Sequence, residues 1–161
     1  MRFISQRNVR TCLRSAVASL CLLASATVAP AAVPMQDRAK PYVVTNDYGG
    51  SVQDRLVQIR DLRRSGRPIE IRGAVCYSSC TMLLGLGNTC VEPRTMFGFH
   101  APSRSGTPLP RPVFEQVSRL IAASYPEQLR GWYLDEARYA DSGLRIMRGS
   151  DLIDRRIARA C

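Results

Sequence analysis

From Tyr42 to Phe99 the chain alternates short β-branched runs with helix-spaced segments, and this alternation limits the fold more than any other feature. Tyr42 to Thr45 reads as a strand, and Asn46-Asp47-Tyr48-Gly49-Gly50 as the turn that closes it. From Ser51 the spacing of Val52, Leu56, Ile59 and Leu62 predicts a helix with one apolar face and arginines opposite, ended by Ser65-Gly66. Pro68 to Arg72, PIEIR, is a second strand. Such a strand-helix-strand unit is a right-handed crossover between parallel strands. The plan then repeats, with a tight connection at Gly73, an apolar helix over Ser78 to Leu86 and a strand over Thr95 to Phe99. An α/β class with a parallel sheet of repeated ββα/βαβ units follows, and its functional edge is the carboxyl end of the strands.

Two helices close the chain's second half, Val113 to Tyr125 and Glu127 to Tyr139, divided by Pro126. Phe114, Val117, Leu120 and Ile121 form one apolar stripe, and Leu129, Trp132, Tyr133 and Tyr139 a more aromatic one; core packing explains both. Between the strands and these helices lies Ser103 to Pro112, SRSGTPLPRP, read as a connection with a lid or groove as the other option.

Residues 1–32 stand outside this plan. Arg2, Arg7, Arg10 and Arg14 precede an apolar run from Ala16 to Val28, and Ala29-Pro30-Ala31-Ala32 offers small residues for cleavage. This is the pattern of a secretory signal peptide, with an uncleaved anchor as the alternative, since a membrane span wants roughly 20 apolar residues. Residues 33–41 read as a flexible tail, and 42–161 as a single domain. A periplasmic or secreted protein of a Gram-negative-type bacterium is expected.

Export changes the meaning of the cysteines. Six become four, Cys76, Cys80, Cys90 and Cys161, an even set suited to disulfides. Of the three pairings, the preferred one joins Cys80 to Cys90 and Cys76 to Cys161. A zinc site is disfavoured because Cys76 and Cys80 lack knuckle spacing and only one histidine exists, and the same spacing argues against a thioredoxin-like motif. Without the first 32 residues the net charge of +10 falls to about +6, spread through helices among acids as a solvated surface. No aromatic-interleaved basic motif points to nucleic acid.

The chemistry gathers in Gly73 to His100. Ser78 and Ser79 open the apolar segment, where a serine is either an N-cap or a nucleophile exposed beside unpaired amides. His100, the only histidine, ends the strand at Phe99 and is a structural residue or the matching base.

Gly49-Gly50-Ser51-Val52, then Cys76-Tyr77-Ser78-Ser79-Cys80-Thr81, then Phe97-Gly98-Phe99-His100 resemble, in order and spacing, the motifs of the Clp protease proteolytic subunit and crotonase superfamily. The likeness is greatest to its secreted periplasmic branch and covers roughly residues 41–160. The resemblance implies a Clp-protease-like fold with Ser78 as nucleophile, His100 as base, and the amides of Gly50 and Ser79 as oxyanion hole. Ser78 is chosen over Ser79 on the Cys-x-Ser-x-Cys register. The family's aspartate falls near Leu144, where there is no carboxylate; Asp141 is the substitute, with Asp135 and Asp151 behind it.

The implied activity is that of a serine hydrolase, a peptidase, acting on peptides or unfolded polypeptide without cofactor, metal or ATPase partner, and associating as a homo-oligomer through the long helix. The missing acid favours a second expectation: a catalytically inactive, disulfide-stabilised envelope binding or scaffold protein of the same fold.

Overall fold

A computed structural model of the chain describes residues 40–161, so the signal-peptide expectation for 1–32 and most of the tail lie outside the described residues. The described part is mixed α/β, with a parallel four-stranded sheet, a second three-stranded sheet and helices around them.

The first unit folds as its spacing predicts. Strand β1 (Tyr42–Val44) leads through the Gly-Gly turn to α1 (Val52–Ser65), and β2 (Ile69–Ile71) pairs parallel to β1. Ser51 caps α1 by accepting from the Asp54 amide, and Gly66 ends it in the left-handed conformation at φ 67°. Ile59 and Leu62, on the apolar face of α1, are buried against the sheet that carries Ile69 and Ile71.

The second unit differs from expectation. Strand β3 (Val75–Tyr77) intervenes between PIEIR and the serines, and it belongs to the other sheet. A short 3₁₀ helix (Ser78–Gly85) follows in place of the expected α-helix, then β4 (Thr89–Val91) and β5 (Met96–Phe99). β2 therefore pairs with β4, while β5 pairs parallel to β3. A strand at 89–91 was not expected because Thr89-Cys90-Val91 is too short a run to show a period. The Asp47–Cys76 bridge links the β1 turn to β3, so Gly49-Gly50 and Ser78 still reach a common edge.

Ser103 to Pro112 contains a two-stranded hairpin, β6 (Ser103–Arg104) and β7 (Thr107–Pro108). Its turn, Ser105-Gly106, has φ of 50° and 82°, the positive pair that a two-residue hairpin turn requires. Helices α2 (Arg111–Ala123) and α3 (Glu127–Asp135) break at Pro126 as expected. The chain ends with β8 (Arg145–Arg148), α4 (Gly149–Asp154) and β9 (Arg159–Ala160). β8 runs antiparallel to β5, and β9 extends the first sheet beside β4.

The core lies where the sheets meet the helices, and its largest buried side chains include Phe97, Phe99, Ile69, Met82, Leu83, Leu129, Tyr133 and Leu152. Each such side chain removed from water contributes about 1.5–3 kcal/mol. Most of the aromatic stripe belongs here: Tyr133 packs edge-on to Tyr125 and Trp132 edge-on to Phe99, but Tyr139, expected on the same helix, lies beyond the end of α3 and is exposed.

The cysteines form two disulfides, but not in the expected pairing. Cys76 joins Cys80, with Cα atoms 5.3 Å apart, and Cys90 joins Cys161 at 4.9 Å. The correction follows from topology. β9 lies beside β4, which pairs Cys90 with Arg159 and brings the C-terminal residue to Cys90. The turn out of β3 brings Cys80 back over Cys76. Disulfides of this kind belong to chains that fold under oxidising conditions. Among the described residues no helix is long and apolar enough to cross a membrane.

Candidate functional site

Ser78 stands where β3 gives way to the 3₁₀ helix, with a backbone φ of 54°. A serine in the left-handed region costs on the order of 1–3 kcal/mol, which the surrounding structure must offset. The capping role fails here. The residue at the cap position is Tyr77, and no side chain caps this helix.

Three contacts hold the turn. The Thr81 hydroxyl donates to the Ser78 carbonyl at 2.7 Å and lies 2.7 Å from the Tyr125 hydroxyl. Because a threonine hydroxyl has one proton to give, Tyr125 is the donor to Thr81. Burial raises the Tyr125 hydroxyl well above the usual phenol range, which keeps that proton in place. On the other side Gly49, at φ 96°, packs against the turn. A methyl added there would run into Ser78 Cβ and come within 3.0 Å of Ser78 Oγ and 2.9 Å of the Tyr77 carbonyl. The third contact is main-chain: the Tyr77 amide donates to the Asp47 carbonyl at 2.8 Å, and the Asp47 amide to Val75 at 3.1 Å.

Asp47 also organises the glycine turn. Its carboxylate accepts from the Gly49 amide at 2.8 Å and from Arg55 at 2.6 Å, and both side chains of this ion pair are largely buried. The pair fixes Gly49-Gly50 relative to β3, although nothing in the sequence spacing announces it. Arg55 lies one helical turn after Ser51, on the arginine-bearing face of α1.

Ser78, Ser79, Gly50 and His100 all line one cleft of about 640 Å³. Among the described residues neither the Gly50 nor the Ser79 amide meets an acceptor. Ser79 itself is buried, and its Oγ has no partner. Ser78 is half-buried.

The opposite wall comes from α2. Val113, Val117 and Ile121, one turn apart on α2, face this cleft with Leu109, Phe99 and Tyr125. Part of the stripe therefore lines the cleft, while Leu120 is exposed. The β6–β7 hairpin contributes Arg104 to the lining of the cleft.

His100 is half-buried at the end of β5, between this cleft and a second cavity of about 450 Å³ lined by Asp141, Tyr139, Arg138 and Leu144. Its Nδ1 lies 2.6 Å from the Ala101 carbonyl oxygen. A carbonyl can only accept, so Nδ1 carries the proton and Nε2 of the neutral ring is the free base. No hydrogen bond joins Ser78 Oγ to His100 among the described residues.

Asp141 is exposed and shares the second cavity with His100, but no hydrogen bond joins them. The link is main-chain, with the Ala101 amide donating to Ala140 at 2.9 Å. Of the other carboxylates considered, Asp151 accepts from the Arg148 amide at the start of α4, and Asp135 is exposed at the end of α3.

The cleft thus brings together a serine hydroxyl, an imidazole, two main-chain amides without acceptors among the described residues, and an apolar wall. No family model matches the chain, and no curated protein matches it.

Proposed function

We propose that this chain is an exported serine hydrolase, a peptidase of Clp-protease-like, crotonase-type fold, with Ser78 as nucleophile and His100 as base. The observation that carries this reading is the left-handed backbone of Ser78 at the lip of a cleft that also holds the chain's only histidine.

In this mechanism Nε2 of His100 takes the Ser78 proton as Oγ attacks the acyl carbon, and the amides of Gly50 and Ser79 receive the oxyanion. His100 then returns the proton to the leaving amine, which departs and leaves an acyl-enzyme. Water, deprotonated by the same nitrogen, attacks the acyl carbon; the bond to Oγ breaks, Oγ takes the proton from His100, and the acid leaves. The Ala101 carbonyl holds the imidazole in the tautomer that these steps need, a task usually given to a carboxylate. No cofactor takes part. The apolar wall suits an acyl group with an aliphatic or aromatic side chain, and the substrate is a peptide or unfolded polypeptide presented without an ATPase. Export by a cleaved signal peptide to the periplasm accords with the disulfides, and a homo-oligomer is in keeping with the exposed Leu120 on α2.

One observation favours a second reading. Among the described residues no carboxylate is bonded to His100, as suits a binding or scaffold protein of the same fold without turnover. Hydrolysis of peptide p-nitroanilides with apolar residues before the scissile bond separates the two. Turnover abolished by His100→Ala supports the hydrolase; none above the Ser78→Ala background supports the scaffold.

A further inference from the structure

We infer that Cys76 and Cys80 are positioning residues, whose disulfide holds the Ser78 hydroxyl in its reactive placement. The inference rests on the hydrolase reading and adds a part that this reading does not require.

Residue 78 is the midpoint of the ring that the bridge closes. Cys76 lies in β3 and Cys80 in the first turn of the 3₁₀ helix, so the bridge ties the strand's end to the helix's beginning across a single reversal. Tyr77 remains extended, at φ −109° and ψ 159°, and the reversal falls on Ser78 at φ 54°. Serine gains nothing by itself from that conformation. It persists because the chain on both sides is fixed: Tyr77 by the hydrogen bond that its amide donates to the Asp47 carbonyl, and the following turn by the bridge and the Thr81 hydroxyl.

Both cysteines are fully buried, so the tie is a permanent part of the wall behind the serine. A ring of this size restricts the unfolded chain far less than the bridge from Cys90 to Cys161 does. Its larger effect is local. Released, residues 77–79 can relax toward right-handed backbone, turning Ser78 Oγ away from the cleft and redirecting the Ser79 amide. Both losses weaken the transition state more than the binding of substrate.

The test compares oxidised wild-type protein with Cys76→Ala/Cys80→Ala and with Cys90→Ala/Cys161→Ala, each confirmed as folded by circular dichroism. The measurements are the second-order rate of labelling by a fluorophosphonate, kcat and KM on a peptide anilide, and the Ser78 backbone chemical shifts. The expected result for Cys76→Ala/Cys80→Ala is labelling and kcat lowered about 100-fold with KM within about threefold, the size expected of a displaced reacting atom. Its Ser78 shifts leave the left-handed range. Cys90→Ala/Cys161→Ala labels like the wild type.

Equal labelling of the wild type and Cys76→Ala/Cys80→Ala overturns the inference and leaves the hydrolase reading intact. A wild type that never labels overturns both. Cys76→Val/Cys80→Ala, with a strand-favouring residue at 76, serves as the second variant; failure of both variants to fold also overturns the inference, because the bridge is then an element of stability.

Discussion

Nδ1 of His100 faces the carbonyl oxygen of Ala101 at 2.6 Å, so the orienting acceptor of the only imidazole is main chain, not a carboxylate. The arrangement gives His100 the same tautomer that an aspartate would give it, without the aspartate's charge. A developing imidazolium is therefore stabilised less than in a complete triad.

Asp141→Asn follows directly. Where an aspartate holds the base, the change to asparagine costs on the order of 10⁴ in kcat. Here the variant is expected to keep labelling and turnover within about tenfold of wild type, because no bond to His100 is lost. Parallel measurement of kcat for Asp141→Asn and His100→Gln checks this. A loss at residue 141 as large as that at residue 100 would show that the carboxylate engages the ring.

Asp47→Ala removes the acceptor of the Gly49 amide and leaves Arg55 without its largely buried partner. The expected destabilisation is about 1–3 kcal/mol, the scale for stranding a partly buried donor. Urea denaturation measures it. Labelling of the folded variant should slow as well, since Asp47 positions the Gly49-Gly50 turn beside Ser78.

Gly49→Ala and Gly50→Ala separate space from backbone conformation. Both glycines have positive φ, at 96° and 140°, but only at Gly49 would a methyl collide with Ser78, while Gly50 has open space around it. Both variants are expected to lose about 1–3 kcal/mol of stability. Gly49→Ala loses labelling in addition, through displacement of the serine.

The two disulfides should differ in their share of stability. A chain-entropy argument assigns about 2 kcal/mol to the short ring through Ser78 and about 4 kcal/mol to the loop from Cys90 to Cys161. Denaturation midpoints of the two alanine pairs test this order, with Cys90→Ala/Cys161→Ala the less stable.

How much of this was legible beforehand depended on whether a signal was local. The helix from Val52 to Ser65 was, because Ser51, the apolar spacing and Gly66 each act within a few residues. So was the pairing of β1 with β2, which a short crossover enforces. The cysteine pairing was not, since β9 is two residues long and its place beside β4 is decided by tertiary packing. The same holds for β3, a three-residue strand whose neighbour lies about twenty residues away in β5. Within the site, Ser78 and His100 could be named because their residue types carry chemistry, and the Gly50 and Ser79 amides only through the family resemblance. The Ala101 carbonyl could not, because an alanine's main chain leaves no mark in the sequence.

Adduct mapping by mass spectrometry reads the reactivity of the Ser78 hydroxyl directly. Oxidised protein treated with a fluorophosphonate is expected to gain a single adduct located on Ser78, absent in Ser78→Ala, strongly slowed in His100→Ala and retained in Ser79→Ala. An adduct on Ser79, or a wild-type protein that stays unmodified while an active serine hydrolase in the same tube is labelled, contradicts the account.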